Sequence, residues 1–230
     1  MHEATIMAAP VSVGVTNRAQ GSTGLQRLDD VASRVLDVTL AVTALVILAP
    51  LMAIIAGVIY VLDPGPIIFA HQRIGRGGRS FPCLKFRTMV VDADARLRHL
   101  LETSAEARAE WDRDHKLRDD PRVIGIGKFL RKTSLDELPQ LWNVVRGDMS
   151  LVGPRPIVVG EISRYGRYFE HYCAVRPGIT GLWQVGGRND VSYRRRVAYD
   201  VTYSRARSCA MNVKIIAYTV PSVLLQRGSY

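Results

Sequence analysis

A chain of 230 residues holds one domain with room for an appendage, long enough to bury a real core. Its 31 Lys and Arg against 21 Asp and Glu give a formal charge of +10, which points to an anionic partner: nucleic acid, anionic lipid or a phosphate-rich substrate. Cys83, Cys173 and Cys209 are far apart and form no CxxC, so neither a disulfide framework nor a zinc site is indicated, and a reducing cytoplasmic setting fits.

Residues 1–30 are rich in Ala, Ser, Thr, Gly and Val, without helical or strand period, and read as a disordered tail. They lack the charged start and short apolar core of a cleavable signal. From Val38 to Leu62 the sequence VTLAVTALVILAPLMAIIAGVIYVL carries no charge over 25 positions, enough to cross a bilayer core, which takes roughly 20 apolar residues as helix. Pro50 falls in its middle and removes a backbone donor there. The segment 31–62 is therefore expected either as a kinked spanning helix or as a re-entrant one that returns to the face it entered. Arg27 and Arg34 precede the run and His71, Arg73, Arg76, Arg79 and Lys85 follow it; basic flanks on both sides favour both ends on the cytoplasmic side.

Residues 63–230 read as the domain outside the apolar run. After the DPGP turn, a hairpin is expected, with strands near Ile67–Arg73 and Phe81–Met89 around the Gly75, Gly77, Gly78 connection. Residues 92–117 have Leu97, Leu100, Leu101 and Trp111 at roughly helical intervals and predict one or two surface helices. A helix is expected from Gly127 or Lys128 to about Lys132, another from Ser134–Glu137 through Val145, a loop over GDMSLVGPRP, and helix over 158–174. RPGITGLWQVGGRND reads as extended and turn-rich, and the basic SYRRRVAYDVTYSRARS leads into apolar MNVKIIAYTVPSVLL.

Several chemistries lack their motif. IGRGGRS and GIGKFLRK complete neither GxxxxGK[ST] nor GxGxxG, the five histidines form no HExxH, and no GxSxG elbow occurs. Basic residues with aromatics, as in YRRRVAY, suit nucleic acid in principle, but beside so long an apolar run they suit anionic lipid head groups better. The TSLDELPQLWNV stretch places Asp136 and Glu137 side by side. Ser134 and Glu137 fit a capping box, with acidic residues in a first helical turn. The same positions fit chemistry: two carboxylates can hold Mg²⁺ together with substrate phosphates, an Asp can attack phosphorus, and Arg131 and Arg155 lie near enough in sequence to neutralise phosphate charge. Spacing leaves both roles open.

HQRIGRGGRSFPCLKFRTM, LRKTSLDELPQLWNVVRGDMSLVGPRP and RPGITGLWQVGGRND, in this order, resemble the signature blocks of the bacterial sugar transferases, the monotopic polyprenyl-phosphate phosphoglycosyl transferases. The resemblance runs from about Arg34 to the C-terminus. With KLRDDPRV and the terminal RGSY, it is strongest to the galactose-phosphate transferases of exopolysaccharide production. It implies an α+β, mostly helical, monotopic membrane protein. Its re-entrant helix would be broken at Ala49-Pro50, and a small cytoplasmic catalytic domain with membrane-interface helices would carry a short β-hairpin. By similarity, Asp136 attacks the β-phosphate of a UDP-sugar and expels UMP, and undecaprenyl phosphate then takes the sugar phosphate, galactose 1-phosphate ahead of glucose 1-phosphate. Glu137 binds Mg²⁺ with Asp136 or acts as base, and Lys85, Arg87, Arg131 and Arg155 contact phosphates. The resemblance also implies anionic lipids as partners, no nucleic acid, and the bacterial inner membrane as location; self-association stays open. The chain departs from the pattern in YSRARSCAMN, with Asn212 where an acidic residue is common, and at Gly186.

Overall fold

The computed structural model describes residues 24–114, 117, 120–186 and 191–224. The tail before Gly24, parts of KLRDDPRV and GGRND, and the terminal RGSY lie outside the described residues. The first element is a single helix, α1 (Gly24–Leu62), which starts inside the stretch expected to be tail and continues through Pro50 without interruption. The expected break at Ala49-Pro50 is thus not a gap in helical structure: proline deletes one backbone bond, and the flanking turns hold the helix together. Gln26–Leu62 is long and apolar enough to cross a membrane, and only 11% of its most apolar window is buried within the protein.

The remaining elements follow in short pieces. Strands β1 (Ile68–Ile74) and β2 (Ser80–Phe86) form a two-stranded sheet, close to the expected hairpin. Two surface helices come next, α2 (Ala93–Thr103) and α3 (Ala105–Asp114), then α4 (Gly127–Thr133), α5 (Gln140–Arg146) and strand β3 (Ser150–Val152). Helices α6 (Ile162–Tyr165) and α7 (Phe169–Cys173) precede β4 (Gly178–Thr180), α8 (Leu182–Gly186), α9 (Tyr193–Ala206) and α10 (Cys209–Leu224). Three expectations change here. GDMSLVGPRP is not all loop, because Ser150–Val152 pair in parallel with Gly178–Thr180. The 158–174 region is broken into short α and 3₁₀ turns around Gly166, whose φ of 50° interrupts a continuous helix. The LWQVG part of the third signature block is helical rather than extended.

The chain divides into two units: residues 1–47, 70–84 and 140–230, and residues 48–69 and 85–139. In the first, one cluster gathers Ile74, Ile157, Tyr165, Tyr172, Cys173 and Val197, and another gathers Val152, Val175, Tyr203 and Ile215. Burying such side chains contributes roughly 1.5–3 kcal/mol each. Polar ties give this unit its register. Asp37, buried in α1, accepts from the Ser150 hydroxyl at 2.7 Å and the Leu151 amide at 3.0 Å. Fully buried Asn143 donates to the Pro82 carbonyl and accepts from the Leu84 amide, joining α5 to β2. The atypical Asn212 accepts from the Tyr203 hydroxyl at 2.9 Å and donates to Ser33 at 3.2 Å, a neutral tie where a carboxylate would carry charge into a buried position.

In the second unit the C-terminal part of α1 is a core element. Ile55 and Ile59 pack with Phe86, Ile124 and Leu130, with Leu135 and Leu138 against them. The apolar helix therefore buries one stripe in protein and leaves Val46, Ile47, Ile54 and Val61 exposed, the pattern of a helix whose other faces meet lipid.

Candidate active site

Asp136 and Glu137 lie on one 3₁₀ turn, Leu135–Glu137, between α4 and α5. The capping box expected for this stretch does not form. Ser134 adopts a left-handed conformation (φ 58°), terminates α4 with its amide on the Arg131 carbonyl, and makes no side-chain cap. An αL residue at a helix C-terminus turns the chain sharply. That turn, and Pro139 directly before α5, separate the carboxylates from the helix they were expected to begin.

Leu135 and Leu138 anchor the turn by their contacts with the core, which drives Asp136 inward: its residue is 7% exposed. Lys85, at the end of β2, reaches both carboxylates, with Nζ 2.7 Å from Glu137 Oε1 and 3.4 Å from Asp136 Oδ2. Burial raises the Asp136 carboxyl above its ordinary range; the Lys85 charge opposes this, the Glu137 charge adds to it, and Arg131 opposes it more weakly.

Arg131 on α4 is held by its neighbours in KFRTM. Its Nε donates to Thr88 Oγ1 at 2.8 Å, and its other two nitrogens have no hydrogen-bond partner among the described residues, leaving a planar donor edge for an anion. Thr88 is fixed in turn, because its carbonyl accepts from the Ile124 amide and Met89 bridges Val123. α4 passes so close that a Cβ on Gly127 would stand 2.4 Å from the Thr88 carbonyl oxygen; only glycine fits there. Arg122 supports this strip with a two-pronged contact to Asp120, at 2.8 and 2.7 Å, while its guanidinium lies 5.0 Å from the Trp111 ring centroid.

One expected phosphate contact is engaged elsewhere. Arg87 is buried and all three of its side-chain nitrogens donate elsewhere, to the Pro66 carbonyl at 2.6 Å and to the Asp63 carboxylate and carbonyl. It fastens the end of α1 rather than offering a fork to a substrate, and Asp63 also accepts from the Val91 amide. Arg155 is exposed in the first unit, between buried Pro154 and half-buried Pro156. The structure thus brings together Lys85, Arg131, Asp136 and Glu137. Sequence reading missed Thr88, Gly127 and the Asp63 anchor. Thr88 stood inside the quoted KFRTM block, but its role depends on contacts across more than 40 positions.

The implied Mg²⁺ can be tested against these residues. Among the described residues no group of three or more His, Cys, Asp or Glu is placed to hold a metal. Two carboxylates do converge on one cationic point, the Lys85 ammonium, and Mg²⁺ is commonly bound by one or two carboxylates with substrate phosphates completing its shell. The donor set fits on that condition.

A buried carboxylate, a second beside it, a lysine touching both and an arginine with unspent donors make up a site suited to phosphoryl groups, where charge neutralisation and positioning dominate. Residues 28–226 match the family model of the bacterial sugar transferases, and the chain belongs to that family. It is similar to the exopolysaccharide production protein ExoY of Sinorhizobium fredii, 46% identical over 211 residues, which are 92% of this chain and 93% of that protein. It is also similar to the UDP-galactose-lipid carrier transferase of Erwinia amylovora, 49% identical over 206 residues, and to the undecaprenyl-phosphate galactose phosphotransferase of Salmonella typhimurium, 48% identical over 197. These alignments take in 90% and 86% of this chain but only 42% and 41% of those longer proteins.

Proposed function

We propose that this chain moves a sugar 1-phosphate, galactose 1-phosphate foremost, from a UDP-sugar to undecaprenyl phosphate as the first membrane step of an exopolysaccharide repeat. The names of its relatives support the donor, the lipid carrier and the setting. The observation that carries the chemistry is the buried Asp136 held 3.4 Å from Lys85 and beside Glu137. Asp136 Oδ attacks the β-phosphorus; the bond from that phosphorus to the bridging oxygen breaks, and UMP leaves with the electron pair. An oxygen of undecaprenyl phosphate then attacks the same phosphorus, displacing the Asp136 carboxylate and giving the diphosphate-linked sugar. Lys85 and the donor edge of Arg131 neutralise phosphate charge, and the shelter around Asp136 limits competing attack by water. Mg²⁺, where bound by Asp136 and Glu137, supplies further neutralisation of the diphosphate. Arg155 is assigned a second phosphate contact; Arg87 is assigned the anchoring of α1.

The same reading places α1 as a re-entrant helix in the bacterial inner membrane, with the folded domain on the cytoplasmic face, so that a soluble nucleotide sugar and a lipid-embedded acceptor reach one site. Its positive charge suits both anions. The test is UMP release by the full chain with undecaprenyl phosphate and Mg²⁺, comparing UDP-galactose with UDP-glucose. Release with UDP-galactose that vanishes in Asp136→Asn is expected; undiminished release by that variant overturns the nucleophile. For topology, cysteines introduced as Leu25→Cys and Ser80→Cys should be labelled from the same face in a Cys209→Ser background; labelling from opposite faces refutes re-entry.

A further inference from the structure

Within the first unit, and sharing no residue with the Asp136 cluster, lies a cleft of about 70 Å³, several times the roughly 10–15 Å³ that admits one water. Four arginines line it: Arg34, Arg76, Arg176 and Arg207. The carboxylates facing them are Asp30 and Asp37, so the lining carries four positive charges against two negative ones, a net +2.

Part of this charge has a structural task. Arg34 donates to the Val144 and Val145 carbonyls at 2.7 and 3.0 Å, and Arg176 donates to the Gly147 carbonyl at 2.9 Å. Both cap the C-terminal end of α5, where unpaired carbonyls favour cations. Arg207 pairs with Asp30, Nε and Nη2 each 3.1 Å from a carboxylate oxygen. Asp37 has both oxygens committed to Ser150 and Leu151. Arg76 is what remains: it makes no hydrogen bond or salt bridge among the described residues. Partial burial and then the charges of Arg176 and Arg207 press its guanidinium below the usual arginine range, and only Asp30 opposes them. A guanidinium has five donors, so the cleft presents more cationic donors than its own carboxylates and carbonyls take up. Structural contacts account for Arg34, Arg176 and Arg207 and leave Arg76 facing the open cleft.

The position adds a second indication. Asp30, Arg34 and Asp37 follow one face of α1, and the uncharged run begins at the next residue, Val38. The cleft therefore opens where α1 passes from polar to apolar, the level of head groups for a membrane-inserted helix.

We propose that this cleft binds a phosphate group, supplied by the headgroup of an anionic membrane lipid or by free phosphate. The test uses the full chain in neutral detergent, titrated calorimetrically with dihexanoyl phosphatidylglycerol below its micellar concentration and, separately, with inorganic phosphate. Saturable binding is expected. Preference for the phosphatidylglycerol identifies the headgroup as the source, and equal or tighter binding of inorganic phosphate identifies the free ion. Arg76→Gln should weaken the bound probe about tenfold or more. Asp30→Asn removes an opposing charge and should tighten it, a gain that misfolding does not produce. Absence of saturable binding to the unaltered chain, or wild-type affinity in Arg76→Gln, would each overturn the proposal. UMP release is measured separately, so failure here leaves the transferase reading standing.

Discussion

Replacing Asp136 by Asn should silence the enzyme and make it more stable. The substitution keeps the side chain's shape and one hydrogen-bond acceptor but removes its charge. Two opposing quantities decide the outcome. At 3.4 Å the attraction between Lys85 and Asp136 is about 5 kcal/mol for an effective dielectric near 20 and about 1 kcal/mol for bulk water. Against it stand the desolvation of a carboxylate in a residue only 7% exposed and the like charge of Glu137. The Asp136 carboxyl is raised above its ordinary value of 3.8, so burial wins. A raised carboxyl contributes stability that is fully present below the unfolded value and lost as pH rises through the folded one, so near neutrality it weighs against folding. Asn lifts that cost, and about 0.5–2 kcal/mol of added stability is expected, in the range of other relieved functional strain. For a chain of this size this means roughly 2–4 °C in Tm per kcal/mol. Thermal melts of both proteins in one detergent at neutral pH check it, with UMP release on the same samples. A variant at least about 1 kcal/mol less stable would show that the Lys85 pair outweighs burial and refute the reasoning.

Other perturbations separate the parts of the site. Lys85→Met leaves Asp136 buried without its main counter-charge, so the acid limb of the kcat/KM–pH profile should move to higher pH, as read from UMP release; an unmoved limb contradicts the pairing. Gly127→Ala must displace the Thr88 carbonyl or α4; about 1–3 kcal/mol of stability should be lost, with turnover falling more than tenfold as Arg131 shifts, measured by melts and single-turnover assays. Burial pushes Asp200 up to about 7, against which the Tyr165 hydroxyl donates at 2.7 Å. Its stabilising contribution is complete below pH 3.8 and is lost as pH rises through about 7, so Asp200→Asn should flatten the fall in Tm between about pH 5 and pH 8.

The parts legible in the sequence were those with a repeating or local signal. The uncharged run marked α1, alternation with glycines marked the β1–β2 hairpin, and the spacing of Leu97, Leu100, Leu101 and Trp111 marked α2 and α3. Asp136, Glu137 and Lys85 could be named from the signature blocks, and the structure places them in contact. What was not legible depended on long-range competition. Ser134 has the residue type of an N-cap, but its backbone is claimed by the end of α4. Arg87 looked like a phosphate ligand until Asp63, 24 positions earlier, took its guanidinium. The parallel β3–β4 pairing of three-residue strands has no period to detect, and LWQVG shows too short a stretch to reveal its helix.

Helix α1 donates Asp37 to the framework of one unit and Ile55 and Ile59 to the core of the other. It is therefore part of the scaffold and not a detachable leash. Cutting the chain after Leu62 to obtain a water-soluble fragment would strip a buried polar tie from the first unit and two core side chains from the second. A fragment that begins after Leu62 lacks these contacts and should aggregate instead of giving a smaller working enzyme.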